Sequence, residues 1–229
     1  MSSHPDKEAH YYLGQRTDLL DWLGGRHERV LEVGCGAGGN ARWLREHGAT
    51  HLVGVEIHPE SAERARAVFD HVESRSIEEA LPSLSGPFDL IICADVLEHL
   101  VDPGDVVRRL VGVAADDGRL LVSIPNIRYL LALTRIALGA GFRPEPEGTF
   151  DATHLHFFTK ENVRQLLTSG GWRPERWGYG SYRSRSPDTL SRALSTTRRA
   201  VSRATFGLTD EWLVGQWWVE ATPIAREAG

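Results

Sequence analysis

RVLEVGCGAGG, residues Arg29–Gly39, carries an apolar run straight into a turn with four glycines. The run Arg29–Val33 reads as a short strand buried in a sheet. Glycines at the turn let the main chain reverse sharply and let a ligand lie against it. The next segment, Asn40–His47, has helical spacing (Ala41, Leu44) and stops at Gly48. The turn therefore opens onto a helix N-terminus, whose free N–H groups favour an anion. Gly34, Gly36 and Gly39 also satisfy GxGxxG, so a nicotinamide reading stands beside any other at this point.

Outward from that turn the chain alternates. His51–Ile57 (HLVGVEI) reads as a second strand, Pro59–Asp70 as a helix and Val72–Ser76 as a third strand. Phe88–Ala94 (FDLIICA) is an unbroken apolar strand, Pro103–Ala115 a helix, and Arg119–Ile124 a strand ending at Pro125. Strands alternating with helices predict an α/β fold, a doubly wound and mostly parallel sheet with right-handed crossovers. Upstream, Tyr11–Trp22 reads as a helix ended by Gly24 and Gly25. Downstream, Ile127–Leu138 and Lys160–Ser169 read as helices around a Gly/Pro-rich loop at Gly139–Thr149. Arg173–Tyr179 and Gln216–Thr222 read as late strands, with a basic helix at Pro187–Ala204 between them.

A single domain over 1–229 follows, with an N-terminal lid or helix at 1–28, a cofactor core at 29–125 and an acceptor side at 126–229. The acceptor side includes a helical insertion near 187–206. The 229 residues suffice for a sizeable core without a staple. Cys35 and Cys93 match no zinc or redox spacing, which points to a reducing, cytoplasmic setting. No apolar run is long enough for a membrane span, and no signal core precedes the first helix. A net charge of −5 gives no reason to expect a nucleic-acid partner.

Two carboxylates frame the glycine turn. Glu56 ends the second strand, where a carboxylate can accept both hydroxyls of an adenosyl ribose. Glu32 lies two residues before Gly34. A pyrophosphate at this turn would be repelled by it, whereas the ammonium and sulfonium of S-adenosylmethionine would be attracted.

VLEVGCGAGG, GVEIHPE and FDLIICADVLEHLVDP together resemble class I S-adenosylmethionine-dependent methyltransferases of the ubiquinone-biosynthesis type. They are most similar to the bacterial branch of sugar and natural-product pathways, over about residues 11–175. The resemblance implies a Rossmann-like, seven-stranded sheet whose last strand, Gln216–Thr222, is antiparallel. It assigns Glu32, Gly34, Cys35, Gly36 and Gly38 to the methionyl end, Glu56 to the ribose and Ile57 to the adenine face. Ser76 and Ile77 fall at the adenine edge, although many members carry Asp where Ser76 stands. Ala94, Asp95 and His99 would wall the methionine moiety. Tyr12 and Arg16 lie where relatives close a lid, and Arg16 would pair with the methionine carboxylate.

The methyl acceptor should meet loops at the strand C-termini. Ser123–Tyr129 is one candidate; Phe150–Thr159 is the other and resembles the D-x-T-H-x-x-F-F-T signature of the same branch. His154 is the candidate general base and Asp151 its orienting acid. A metal reading through His154, His156 and Asp95 is disfavoured, because magnesium prefers oxygen ligands and no second strand-end carboxylate is evident. No metal is therefore expected. The basic and aromatic stretch at 178–185 and the helix after it suit an anionic acceptor, a homodimer contact or a solvated surface. Trp212, Trp217 and Trp218 are expected to pack on the sheet. The expected reaction is methylation of a small-molecule hydroxyl, on a glycosyl or natural-product scaffold, releasing S-adenosylhomocysteine. An amine acceptor, a nicotinamide oxidoreductase and a silent cofactor-binding subunit remain as alternatives.

Overall fold

The computed structural model describes residues 15–180 and 210–225. Tyr12, the start of the first helix and the basic helix at Pro187–Ala204 lie outside the described residues.

Seven strands form one sheet: β1 (Arg29–Val33), β2 (His51–Val55), β3 (His71–Glu73), β4 (Phe88–Ala94), β5 (Ala114–Pro125), β6 (Trp172–Gly180) and β7 (Gln216–Pro223). Their order is β3-β2-β1-β4-β5-β7-β6. The first five are parallel, and β7 runs antiparallel to both β5 and β6. The expected doubly wound sheet with an antiparallel last strand is therefore what the chain forms. The order reverses between β1 and β4, so the crevice between their C-terminal ends is where a ligand fits.

Helices α1 (Thr17–Leu23), α2 (Ala41–Glu46) and α3 (Pro59–Ala65) bury Leu19, Leu20, Leu44 and Ala62 in a core shared with Val30, Leu52 and Ile92. On the opposite face α4 (Ile77–Ala80), α5 (Pro103–Leu110) and α7 (Lys160–Ser169) bury Ile77, Val106, Leu110 and Leu167 against Leu31, Ile91 and Val122. This two-sided burial explains why the central strands read as continuous apolar runs. The short α6 (Leu130–Arg135) follows β5.

Several boundaries differ from the sequence reading. The third strand is His71–Glu73, because Ser76 caps α4 by accepting from the Glu79 N–H. The helix at Pro103 ends at Leu110, and β5 begins already at Ala114. Helix α7 matches its expected bounds, with Thr159 and Asn162 closing a reciprocal capping box. Trp217 and Trp218 are buried on opposite sheet faces, while Trp212 stays 41% exposed.

Candidate active site

The cofactor end of the crevice is built from β1, its turn and β2. Gly34 has φ +71, and a Cβ there would meet Val96 Cγ2 at 2.7 Å, so both backbone and space demand glycine. The turn is tied to β2 by Gly34 and Cys35 N–H groups that donate to the Val55 carbonyl at 2.8 and 3.2 Å. Gly54 permits that closeness, since a Cβ on it would lie 2.6 Å from Cys35 Sγ.

Glu56, 5% exposed, receives the Gly36 N–H and the His58 N–H, each at 2.8 Å. These bonds aim the carboxylate across the turn. Burial pushes its pKa up, and the two N–H donors partly oppose the rise. The adjacent Ile57 offers an apolar surface, 51% exposed.

Glu32 is buried. Its Oε1 accepts from Asn40 Nδ2 at 2.6 Å, and among the described residues Oε2 has no hydrogen-bond partner. Burial raises its pKa to about 7; the Asn40 bond opposes the rise and the nearby Glu56 charge adds to it. A buried carboxylate with one unused oxygen is suited to a cationic ligand group. Ile77 lies in the core at 3% exposed. Cys35 and Cys93 are buried free thiols whose pKa values burial raises, Cys93 to about 12, so neither supplies a thiolate nucleophile.

The second part of the crevice is assembled from distant segments. Arg16 Nη1 donates to Asp95 Oδ2 and, at 3.0 Å, to Ser123 Oγ; Nη2 donates to Gln216 Oε1 at 2.9 Å. Ser123 Oγ and Gln216 Nε2 both donate to Asp95 Oδ1. Asp95 is thus gripped at once by Arg16, which precedes α1, and by β5 and β7. Asp95 is also, among the described residues, the non-glycine residue with positive φ (+57), a conformation that aspartate tolerates better than most and that collects at functional sites. The Arg16 guanidinium, expected on the methionine carboxylate, is engaged with this cluster. Its backbone N–H donates to Asn40 Oδ1 at 2.8 Å, which links it to Glu32.

Beyond Asp95 the chain makes a single turn, Leu97–His99, and the loop at 149–158 docks on it. Leu155 and His156 N–H groups donate to the Glu98 carbonyl at 2.8 and 3.1 Å. His99 Nδ1 lies 3.1 Å from the Thr153 carbonyl, so His99 joins the 149–158 loop to the turn after β4. His154 Nδ1 lies 3.1 Å from the Thr149 carbonyl, and its ring meets that of His99 edge-on at 4.7 Å. Asp151 is buried, and its Oδ1 accepts from the Thr153 N–H and hydroxyl at 2.8 and 2.7 Å. His156 points to the Val101 carbonyl at 3.4 Å. Glu98, 1% exposed, has both carboxylate oxygens without a hydrogen-bond partner among the described residues. Burial, and after it the Asp95 charge, drives its pKa well up. Phe142, Phe150 and Phe157 pack ring against ring beside His154.

Sequence reasoning missed Asn40, Glu98 and Gln216 as members of this site; Ser123 opened a candidate acceptor segment, but its bond to Asp95 was not foreseen. Glu98 stood inside the quoted ADVLEHL segment, but nothing in its spacing distinguishes a buried carboxylate from a solvated one. Gln216 lies 121 residues from Asp95, beyond any local pattern.

A switch-point crevice with an acid on the glycine turn and another at the end of β2 defines a Rossmann-like methyltransferase site. A family model described as a methyltransferase domain matches residues 6–176. The chain belongs to that methyltransferase family, which sets aside the nicotinamide alternative, and its cofactor is S-adenosylmethionine. It is 35% identical over 146 residues to the ubiquinone biosynthesis O-methyltransferase of Xylella fastidiosa (strain M23), a match covering 60% of this chain and 56% of that protein. The chain thus spans little more than half the length of that relative. Among solved structures it is similar to a SAM-dependent methyltransferase from Archaeoglobus fulgidus (18% identity, TM-score 0.63, 93% of this chain and 96% of that one). It is also similar to the N-methyltransferase NodS from Bradyrhizobium japonicum WM9 in complex with S-adenosyl-L-homocysteine (18% identity, TM-score 0.57, 97% and 90%).

Proposed function

We propose that this protein transfers the methyl group of S-adenosylmethionine to a hydroxyl oxygen of a small molecule. The observation that carries the reading is the half-satisfied buried Glu32 beside the Gly34–Gly38 turn, a place built for the ammonium end of the methionyl group. Glu56 takes the ribose hydroxyls, Ile57 packs on the adenine, and Ser76 and Ile77 border its edge. Cys35, Gly36, Gly38 and Ala94 line the cofactor, and Asp95 faces the sulfonium. The likeness to an O-methyltransferase supports oxygen as the acceptor atom.

Methyl transfer is an in-line displacement. The acceptor oxygen attacks the methyl carbon, the carbon–sulfur pair remains on sulfur, and the hydroxyl proton must leave. His154 is the group proposed to receive it. A carbonyl can only accept, so Nδ1 carries the hydrogen toward Thr149 and Nε2 of the neutral ring carries the lone pair. Asp151 shapes the loop through Thr153. Exposed Phe142, Leu155 and Phe157 beside this loop favour an acceptor with an apolar portion, whether a natural-product scaffold or a glycosylated one.

Radiolabelled methyl transfer to a panel of phenolic, catecholic and sugar hydroxyls tests the reading. His154→Ala should lower turnover by roughly 10²–10⁴ while S-adenosylhomocysteine affinity stays within about twofold. Near-normal turnover in that variant would remove the base assignment. Transfer to amines alone would replace the acceptor class.

A further inference from the structure

Asn126 follows the last residue of β5 and is completely buried. Its side-chain amide is fully engaged. Nδ2 donates to the Glu211 carbonyl at 2.6 Å and to the Val214 carbonyl at 2.8 Å, and Oδ1 accepts from the Arg128 N–H at 3.0 Å. The main-chain N–H of Asn126 donates to the Gly215 carbonyl at 2.9 Å, and its carbonyl accepts from the Tyr129 N–H at 3.1 Å. Asn126 also forms a parallel β-bridge with Phe158, where the Ile127 N–H donates to the Phe158 carbonyl at 2.9 Å. One buried residue thus joins the approach to β7 with the end of the 149–158 loop. Both lead into the crevice. Residues 211–215 run directly into Gln216, whose amide donates to Asp95 and accepts from Arg16. The loop carries His154 and Asp151.

We propose that Asn126 is a positioning residue for methyl transfer, setting the 149–158 loop and Gln216 in register with each other. The inference deepens the proposed O-methylation and rests on it for its effect on turnover. The place asks for a primary amide, which supplies two donors on one nitrogen and an acceptor on the neighbouring oxygen. An ionised aspartate would set a carboxylate against two carbonyls, and serine has one donor only. Main-chain carbonyls buried without a donor are costly, so the 211–215 segment would shift to find new partners. In-line displacement tolerates such shifts poorly: a misplacement of about 1 Å can cost roughly 100-fold in rate. The Arg128–Glu211 ion pair at 2.9 Å spans part of the same junction, but its arginine is half exposed. An exposed pair contributes little, which makes Arg128→Ala the control.

The test compares Asn126→Asp, Asn126→Ser and Arg128→Ala with wild type in three measurements. These are calorimetry with S-adenosylhomocysteine, amide hydrogen exchange, and turnover on the hydroxyl compound methylated fastest in the panel above. In the Asn126 variants turnover should fall about 10- to 100-fold, while S-adenosylhomocysteine still binds at one equivalent with affinity within about twofold. Exchange at the Ile127 N–H should quicken about tenfold or more, with the Gly34 N–H of the glycine turn unchanged. Arg128→Ala should stay near wild type throughout. Placed in a His154→Ala background, Asn126→Ser should cost less than about threefold further, because residues acting as a unit are not additive. Turnover that falls only in step with the fraction of protein binding S-adenosylhomocysteine, or loss of that binding in both variants, would make Asn126 a plain stabiliser of the fold and overturn the proposal. Fully multiplicative losses with His154→Ala would overturn it as well. If wild type binds S-adenosylhomocysteine yet methylates no hydroxyl, the proposed acceptor class fails instead, and the exchange at Ile127 alone decides whether Asn126 holds the loop.

Discussion

The two halves of the crevice are built in opposite ways. The half proposed to hold the cofactor comes mainly from one contiguous segment, Glu32 to Glu56, in which strand, turn and helix follow each other and the two carboxylates bond to residues 8 and 20 positions away. The half proposed for the acceptor joins Arg16, Asp95, Ser123 and Gln216, with His99 clamped to a loop 54 residues away. A half that closes locally constrains its residue types and is readable as a motif. A half that closes through the tertiary fold leaves each residue ordinary in its own neighbourhood. The same contrast predicts different sensitivities: cofactor affinity should answer to single residues of the turn, and turnover to the long-range clasp.

The largest effect on the cofactor half is expected from Glu56→Ala. Loss of two charge-assisted hydrogen bonds to the ribose should weaken S-adenosylhomocysteine binding roughly 100-fold or more, read by calorimetry. An affinity within threefold of wild type would detach Glu56 from the ribose. Turnover with saturating cofactor should be less affected than affinity.

pH sharpens the comparison next. Burial raises the Glu32 pKa in the folded protein to about 7, from the ordinary glutamate value of 4.5. The charged form that attracts the ammonium group therefore accumulates only as pH rises through 7. S-adenosylhomocysteine affinity should gain about tenfold per pH unit below 7 and level off above it, and Glu32→Gln should flatten this dependence. The sign for folding is the reverse. A carboxyl whose folded pKa is raised favours the folded state at low pH; that advantage is lost as pH climbs from 4.5 toward 7. At pH 8 the free protein carries a penalty of up to about 3 kcal/mol from this group. Thermal melts of wild type and Glu32→Gln across this range measure it, and parallel curves would show that Glu32 is not the buried titrating group.

The smallest effect belongs to the long-range clasp. Gln216→Ala removes a donor to Asp95 and an acceptor for Arg16, and should cost about 1–2 kcal/mol of stability, seen as a lower melting temperature. Turnover should fall more than cofactor affinity, because the Asp95 clasp sits on the reacting side. A fall in affinity with unchanged turnover would invert the comparison drawn here.

Most of the framework was legible in the sequence. Arg29–Val33, His51–Val55 and Phe88–Ala94 are buried on both faces, so their apolar continuity marked them as central parallel strands. Lys160–Ser169 carried its own cap. The ends of the α5 segment and of β3 were misplaced because propensity runs on past the point where packing stops it. Leu110 is the last residue of α5 buried against the sheet, and Val111–Val113 tighten into a turn that starts β5. His154 and Asp151 stood out by their signature. Glu98 did not, since a glutamate between Leu97 and His99 shows nothing of its burial until the 149–158 loop covers it.

The chain alone determined the parallel core, the glycine turn and the two acids that flank it, because these depend on periodicity, backbone freedom and charge within short windows. Only the folded molecule decided that Arg16 would lie on Asp95, that Gln216 would reach across from the antiparallel strand, and that Glu98 would meet two oriented imidazoles. Those meetings depend on which surfaces the sheet order brings face to face, and burial and pairing are properties of that arrangement rather than of any residue's neighbours in the chain.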